Sequence, residues 1–364
     1  MDLVADDRSM GPFDRQECAG VAAMSGQATV LVTGGSGFIG SWCVIRLLQQ
    51  GYSVRTTVRS LAREGAVRAA VGKEVDAQDR LSVHAADLTS DAGWSAAVAG
   101  CDYMLHVASP VVMQEPKNPD DLVIPARDGT RRAVGAALAA GVKRVVLTSS
   151  VAATTLRGGG RVSLADETVW TDLDDPEVSA YSRSKTLAER AAWDLVRASD
   201  GATTLATVNP SMVLGPVLSR DYSASVELVG RLLSGNVPGL PRLGFCFVDV
   251  RDVADLHIAA MTAPQAAGER FIAAGDFAWM VDLAALLRAR LGTAADKVPT
   301  RKVPDFVLRF AALFDRSLAT VTPRLGQQRA FNSAKAKNML GWRPRSLEET
   351  VVDCARSLIA TGAA

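Results

Sequence analysis

The stretch Thr33-Gly34-Gly35-Ser36-Gly37-Phe38-Ile39-Gly40 constrains this chain more than any other. Before it runs Thr29-Val30-Leu31-Val32-Thr33, β-branched and apolar, as a buried parallel strand requires. After it, Ser41-Trp42-Cys43-Val44-Ile45-Arg46-Leu47-Leu48 carries apolar residues at helical spacing. Strand, glycine turn and helix in that order make the phosphate-binding corner of a dinucleotide fold. Glycines there permit a tight turn, let the backbone approach a pyrophosphate, and let the helix pack closely on the strand. The helix N-terminus then offers N–H groups and a partial positive charge to phosphate.

The rhythm continues. The first helix ends near Gln50-Gly51, and Tyr52 to Arg59 alternates like a second strand. An NAD-preferring site places Asp or Glu at that strand's end, about 20 residues past the glycines, on the ribose 2′-hydroxyl. No acid stands between Ser41 and Arg63; the segment holds Arg55 and Arg59 instead. Arginine can hold a 2′-phosphate with forked, charge-assisted bonds, so Arg59 at the strand end points to NADPH. Arg55 and Arg63 read as solvated charges. Leu81 to Leu88 reads as the third strand, its Asp87-Leu88 end bordering the ligand crevice; Asp87 is either an adenine contact or a helix N-cap. Tyr103 to Ser109 is the fourth strand, with His106 a packed core residue and Pro110 to Met113 a loop on the cofactor side. A helix over Asp121–Ala140 leads to the fifth, Val142 to Ser150. Five strands alternating with helices imply an α/β, Rossmann-type doubly wound parallel sheet.

Two features then converge. Ser149-Ser150 ends a strand at the sheet edge where ligands sit, and Tyr181-Ser182-Arg183-Ser184-Lys185 opens a helix. Four residues apart, Tyr181 and Lys185 share one helix face. A carbonyl reduced by hydride needs a proton for its developing alkoxide. A phenol with its usual pKa of about 10 becomes a better donor when a nearby ammonium favours the phenolate. Ser150 can hold the substrate oxygen, and Lys185 can also reach a nicotinamide ribose.

With these motifs in hand, the chain resembles an extended short-chain dehydrogenase/reductase, within the dihydroflavonol reductase, cinnamoyl-CoA reductase and microbial aldehyde/ketone reductase group. The resemblance runs from Thr29 to Leu358. Beyond the segments above it rests on Asn209-Pro210-Ser211-Met212-Val213-Leu214-Gly215-Pro216, Phe247-Val248-Asp249-Val250-Arg251-Asp252, and Leu340-Gly341-Trp342-Arg343-Pro344. It implies Ser150, rather than Ser149, as the residue orienting substrate, Tyr181 as proton donor and Lys185 as its partner. For NADP it implies Gly34, Gly37, Phe38, Ile39 and Gly40 at the pyrophosphate, Arg59 at the 2′-phosphate, and Asp87 and Leu88 beside adenine. Val107, Ala108 and Ser109 would line the ribose side, Pro210 and Val213 the carboxamide, and Ser225 matches a phosphate contact by ungapped counting. Two departures stand out. Thr155 occupies the position where plant flavonoid reductases carry a hydroxyl-binding asparagine, and the Asn-Trp-Tyr-Cys-Tyr-like signature of cinnamoyl-CoA reductases is missing before Tyr181.

The implied activity is NADPH-dependent reduction of an aldehyde or ketone. The alternatives are an epimerase, dehydratase or hydroxysteroid dehydrogenase of the same superfamily, and a non-catalytic NADP-sensing protein. Relatives of this kind occur as monomers and homodimers.

Composition narrows the rest. The net charge of +1 argues against nucleic acid or an anionic membrane as main partner, and no apolar run approaches the roughly 18 residues of a membrane span. Five scattered cysteines read as free thiols in a reducing cytoplasm, and three histidines leave little for a metal centre. Residues 1–26 are acidic and lack the basic start of a signal peptide; they read as a disordered leader, or as translation begun upstream of a start at Met24. The NADP-binding domain spans 27–216, with 247–275 returning to it near Phe247. Residues 217–246 and 276–364 form an interleaved substrate lobe and tail. Met113, Thr155, Tyr222 and Phe245 are candidates for its apolar pocket. Phe306 to Phe314 is amphipathic, either a lobe helix or a mobile lid, and Arg157 to Arg161 is a flexible basic loop nearby.

Overall fold

The computed structural model describes residues 28–110, 116–156, 160, 162–314 and 322–362. The leader, Met113 and most of the Arg157–Arg161 loop lie outside the described residues. The first half of the chain alternates β1 (Thr29–Thr33), α1 (Phe38–Gln49), β2 (Ser53–Val58), α2 (Glu64–Val71), β3 (Leu81–Ala85), α3 (Trp94–Val98), β4 (Tyr103–His106), α4 (Asp120–Ala139) and β5 (Arg144–Thr148). A short strand β6 (Val162–Ala165) precedes α5 (Ala180–Ala198) and β7 (Thr204–Pro210). The second half runs β8 (Met212–Leu214), α6 (Ala224–Leu233), β9 (Gly244–Asp249), α7 (Val250–Thr262), β10 (Arg270–Ala273), β11 (Phe277–Trp279) and α8 (Met280–Leu291). It closes with α9 (Asp305–Ala311), β12 (Gln328–Phe331), α10 (Ala334–Leu340) and α11 (Leu347–Ala360).

Seven strands form one parallel sheet in the order β10-β7-β5-β4-β1-β2-β3. The two-residue period of a strand decides which layer each side chain joins. Val30, Val32, Leu105, Val146, Ala206 and Val208 face the layer that holds α1 and α7. Their neighbours Leu31, Met104, Val145, Leu147 and Leu205 face Val134 and Ala137 of α4 and Ala192 of α5. Both faces are apolar, so both must be covered, which is why these strands read as continuous hydrophobic runs.

Strand order reverses at β1, with β2 on one side and β4 on the other. The crevice beyond the C-terminal ends of β1 and β4 is therefore the ligand edge of the sheet.

Re-entry into the sheet differs from the sequence-based expectation. Phe247 lies on β9, which pairs with β8 and β11 in a separate three-stranded sheet. The chain returns to the main body through α7, and to the main sheet only at β10, which pairs with β7. Phe-Cys-Phe-Val has the apolar, β-rich character of a buried strand, and that character does not say which sheet the strand joins. A further pair, β12 and β6, runs parallel beside these elements.

Candidate active site

At the glycine turn, Gly34 takes φ +72°, the left-handed conformation that favours glycine. A Cβ on Gly40 would stand 2.2 Å from the Gly34 carbonyl oxygen, so the start of α1 closes on the turn only without a side chain there. Gly37 caps α1 without any side-chain hydrogen bond, and no acid occupies the first turn. The N-terminal N–H groups and the helix dipole are thus left for an outside anion. Thr33 ties the two crevice strands together: its Oγ1 accepts from the N–H groups of Val107 (3.0 Å) and Ala108 (2.9 Å). With those lone pairs used, its hydroxyl donates to Nδ1 of His106 at 2.9 Å. His106 is wholly buried, and burial, with Lys185 nearby, brings its imidazole down to about 3. Val107, Ala108 and Ser109 follow directly, half-buried, with Ala108 against Gly34.

The three arginines separate. Arg55 donates to the carbonyl of Ala99 at 2.6 Å, and Arg63 pairs with Asp221. Arg59 lies exposed one residue beyond β2 and makes no hydrogen bond or ion pair among the described residues. It sits near Asp87, whose carboxyl is held below the usual range first by hydrogen bonds from the Thr89 N–H and hydroxyl, and in smaller part by Arg59. Asp87 therefore closes a turn two residues beyond β3, and Leu88 packs against Gly129. The Arg63–Asp221 pair draws the start of α6 towards this end of β2. There Ser225 shares a 3.0 Å hydroxyl contact with Ser223.

At the other end of the crevice, Ser179 caps α5 by accepting from the Ser182 N–H at 3.1 Å, which sets Tyr181 in the first turn. The Ser150 side chain lies close enough to the Tyr181 phenol to lower its pKa. Extended backbone through Ser149 and Ser150 sends their side chains opposite ways. Ser149 Oγ donates to Glu189 at 2.5 Å, while Ser150 Oγ accepts from the Ala152 N–H at 3.1 Å and meets the phenol. Lys185 is buried on the same helix face, its ammonium donating to the Thr148 carbonyl at 3.4 Å. Burial lowers it to about 8, with Glu189 opposing the fall. For the phenol the expected effect is reversed in this structure: burial raises it, and the Ser150 side chain is what pulls it back. Pro210 ends β7 and Val213 lies buried in β8; between them the Ser211 hydroxyl is buried without a partner among the described residues.

A model of the NAD dependent epimerase/dehydratase family matches residues 30–274. The chain belongs to that family. It is similar to cinnamoyl-CoA reductase 2 of Arabidopsis thaliana, 36% identical over 249 residues that make up 67% of this chain and 72% of that one. Against dihydroflavonol 4-reductase of Zea mays it is 35% identical over 303 residues, 81% of this chain and 80% of the other. Among solved structures, yeast methylglyoxal/isovaleraldehyde reductase Gre2 complexed with NADPH superposes with a TM-score of 0.75 at 26% identity, covering 92% of this chain and 100% of that one. The family member described here is thus of the extended short-chain dehydrogenase/reductase type, and the parallel sheet is that family's Rossmann-like fold.

Of the pocket candidates, Tyr222 is half-buried, and the Phe245 ring meets Phe247 edge-on at 6.1 Å beneath the Arg324 guanidinium. The Thr155 N–H is taken by Thr171 Oγ1 at 2.9 Å. Residues 306–314 begin as α9, with Phe306, Phe310, Leu313 and Phe314 exposed. Glu189 and Arg270 belong to no motif of the sequence, and Asn209 stands there only as the first residue of a longer matched segment. One signal was present: Glu189 stands a turn beyond Lys185 on the face that carries Tyr181.

Proposed function

We propose that this chain is an NADPH-dependent reductase that converts an aldehyde or ketone to its alcohol. The observation that carries it is the placing of the Ser150 side chain at the Tyr181 phenol, with Lys185 buried one turn on along the same helix. The side-chain-free approach of Gly40 and the uncapped N-terminus of α1 fit a pyrophosphate, and exposed Arg59, with no acid at the strand end, fits a 2′-phosphate. Relatives that are reductases by name, one of them solved with NADPH, support the same reading.

When bound, the reduced nicotinamide supplies a hydride to the carbonyl carbon. Ser150 Oγ and Tyr181 Oη hold the carbonyl oxygen by hydrogen bonds, so negative charge develops against two donors. Tyr181 gives its proton to that oxygen, and the adjacent Lys185 ammonium stabilises the phenolate left behind.

Purified protein with NADPH and a panel of aldehydes and ketones tests this directly. Tyr181→Phe removes the proton donor and keeps the ring, so turnover is expected to fall by about 10²–10⁴-fold with NADPH affinity little changed. Full activity in that variant excludes Tyr181 as the acid.

A further inference from the structure

Behind Ser150, Tyr181 and Lys185 lies a buried ionic network with no part in the chemistry above. Glu189, wholly buried, follows Lys185 by one turn on the inward face of α5. Its carboxylate accepts from Ser149 Oγ at 2.5 Å, Arg270 Nε at 2.6 Å, Asn209 Nδ2 at 2.9 Å and Thr207 Oγ1 at 3.2 Å. Asn209 Nδ2 also donates to the Ser150 carbonyl at 3.2 Å. Arg270 donates to the carbonyls of Glu167 and Val169 at 2.6 and 2.8 Å, and sits over the Trp170 ring. Thr171, next in the chain, donates to the Ala152 carbonyl at 2.7 Å and accepts from the Thr155 N–H. One short segment therefore grips both the partner of Glu189 and the turn that follows Ser150.

Stability alone is weak grounds for such a pair, because a buried ion pair gains little over an apolar replacement of the same shape. Its placement suggests another task. An ammonium taken out of water tends to lose its proton, and Lys185 is buried. Around it stand Glu189, one turn on along α5 and itself paired with the Arg270 cation of β10, Tyr181 one turn back on the same helix, neutral His106 from β4, and the Thr148 carbonyl from β5, with neutral His257 of α7 on the Thr148 hydroxyl. Among these, Glu189 supplies the negative charge.

We propose that Glu189 is a positioning residue: its buried charge keeps Lys185 an ammonium, and its bonds to Ser149 and Asn209 fix the strand end that presents Ser150. This rests on Lys185 being the partner of Tyr181, but it concerns a proton that can be followed without turnover. Burial brings Lys185 down to about 8 with Glu189 opposing the fall, so loss of that negative charge is expected to lower it further.

The test uses the full chain labelled with ¹³Cε-lysine. The chain has eight lysines, and Lys185→Met assigns the signal of interest. Glu189→Gln is expected to lower the Lys185 midpoint by about one pH unit. Glu189→Asp, which keeps the charge, should stay near wild type. An unchanged midpoint in Glu189→Gln, or equal drops in both variants, overturns the proposal. Should Glu189→Gln fail to fold around an unpaired Arg270, the paired change Glu189→Gln/Arg270→Met leaves no lone buried charge and is expected to show a smaller drop in the same direction, since the Arg270 cation that disfavours the ammonium is gone as well; an unchanged or raised midpoint there overturns the proposal. In the unmutated protein, a midpoint below about 7 overturns the proposal by itself. Turnover on the carbonyl panel is measured separately: a midpoint drop without turnover sinks the reductase reading and leaves this one standing.

Discussion

The glycine-turn edge of the sheet and the lobe beyond β7 hold their shapes by different means. At the turn the backbone does the work: Gly34 in the left-handed region, Gly40 against a carbonyl, and Thr33 accepting from two consecutive N–H groups. Few residue types satisfy such geometry, so it marks the sequence. In the lobe, two- and three-stranded sheets carry half-buried rings such as Phe245, and α9 leaves Phe306 and Phe310 in solvent. Many side chains satisfy that arrangement equally well. The turn is therefore set by its main chain, and the lobe by side-chain packing that leaves more residue types acceptable.

Substitution at the turn should break that contrast most severely. Gly40→Val forces carbon into the Gly34 carbonyl, where the obstacle is backbone and cannot swing aside. We expect a loss of about 3 kcal/mol in urea unfolding and no measurable NADPH binding by fluorescence titration. Near-native stability with intact binding would show that the turn is as tolerant as the lobe. Arg59→Ala is the milder probe of the same edge. It removes one charge-assisted contact, so NADPH affinity should fall about 10- to 100-fold while NADH affinity holds. Equal losses for both nucleotides would move the 2′-phosphate contact elsewhere.

What the sequence disclosed follows the same division. The alternating strands and helices up to β5 were legible because burial on both faces leaves a continuous apolar run. Tyr181 and Lys185 were legible because a four-residue spacing on a helix fixes a shared face. Ser149 and Ser150 are adjacent and chemically alike; the resemblance favoured Ser150, and the structure sends Ser149 to Glu189 and Ser150 to the phenol. Phe247 reads as a strand of the main sheet because a buried strand looks the same in any sheet, and pairing with β8 is a long-range fact. Glu189 is illegible in the sequence for a simpler reason. A glutamate on an amphipathic helix usually faces water, and only Arg270, 81 residues later, reverses that expectation.

The smallest expected effect lies at the far end of the lobe, and it sharpens the comparison most. Phe306 opens α9 with 72% of its surface in solvent and belongs to none of the hydrophobic clusters of the described residues. Phe306→Ser therefore removes apolar area most of which folding left in water. Stability should change by less than about 0.5 kcal/mol, read from paired urea transitions at equal slope. A loss above about 1 kcal/mol would mean that this ring is covered in solution, and that the lobe is held as firmly there as the sheet is at Gly40.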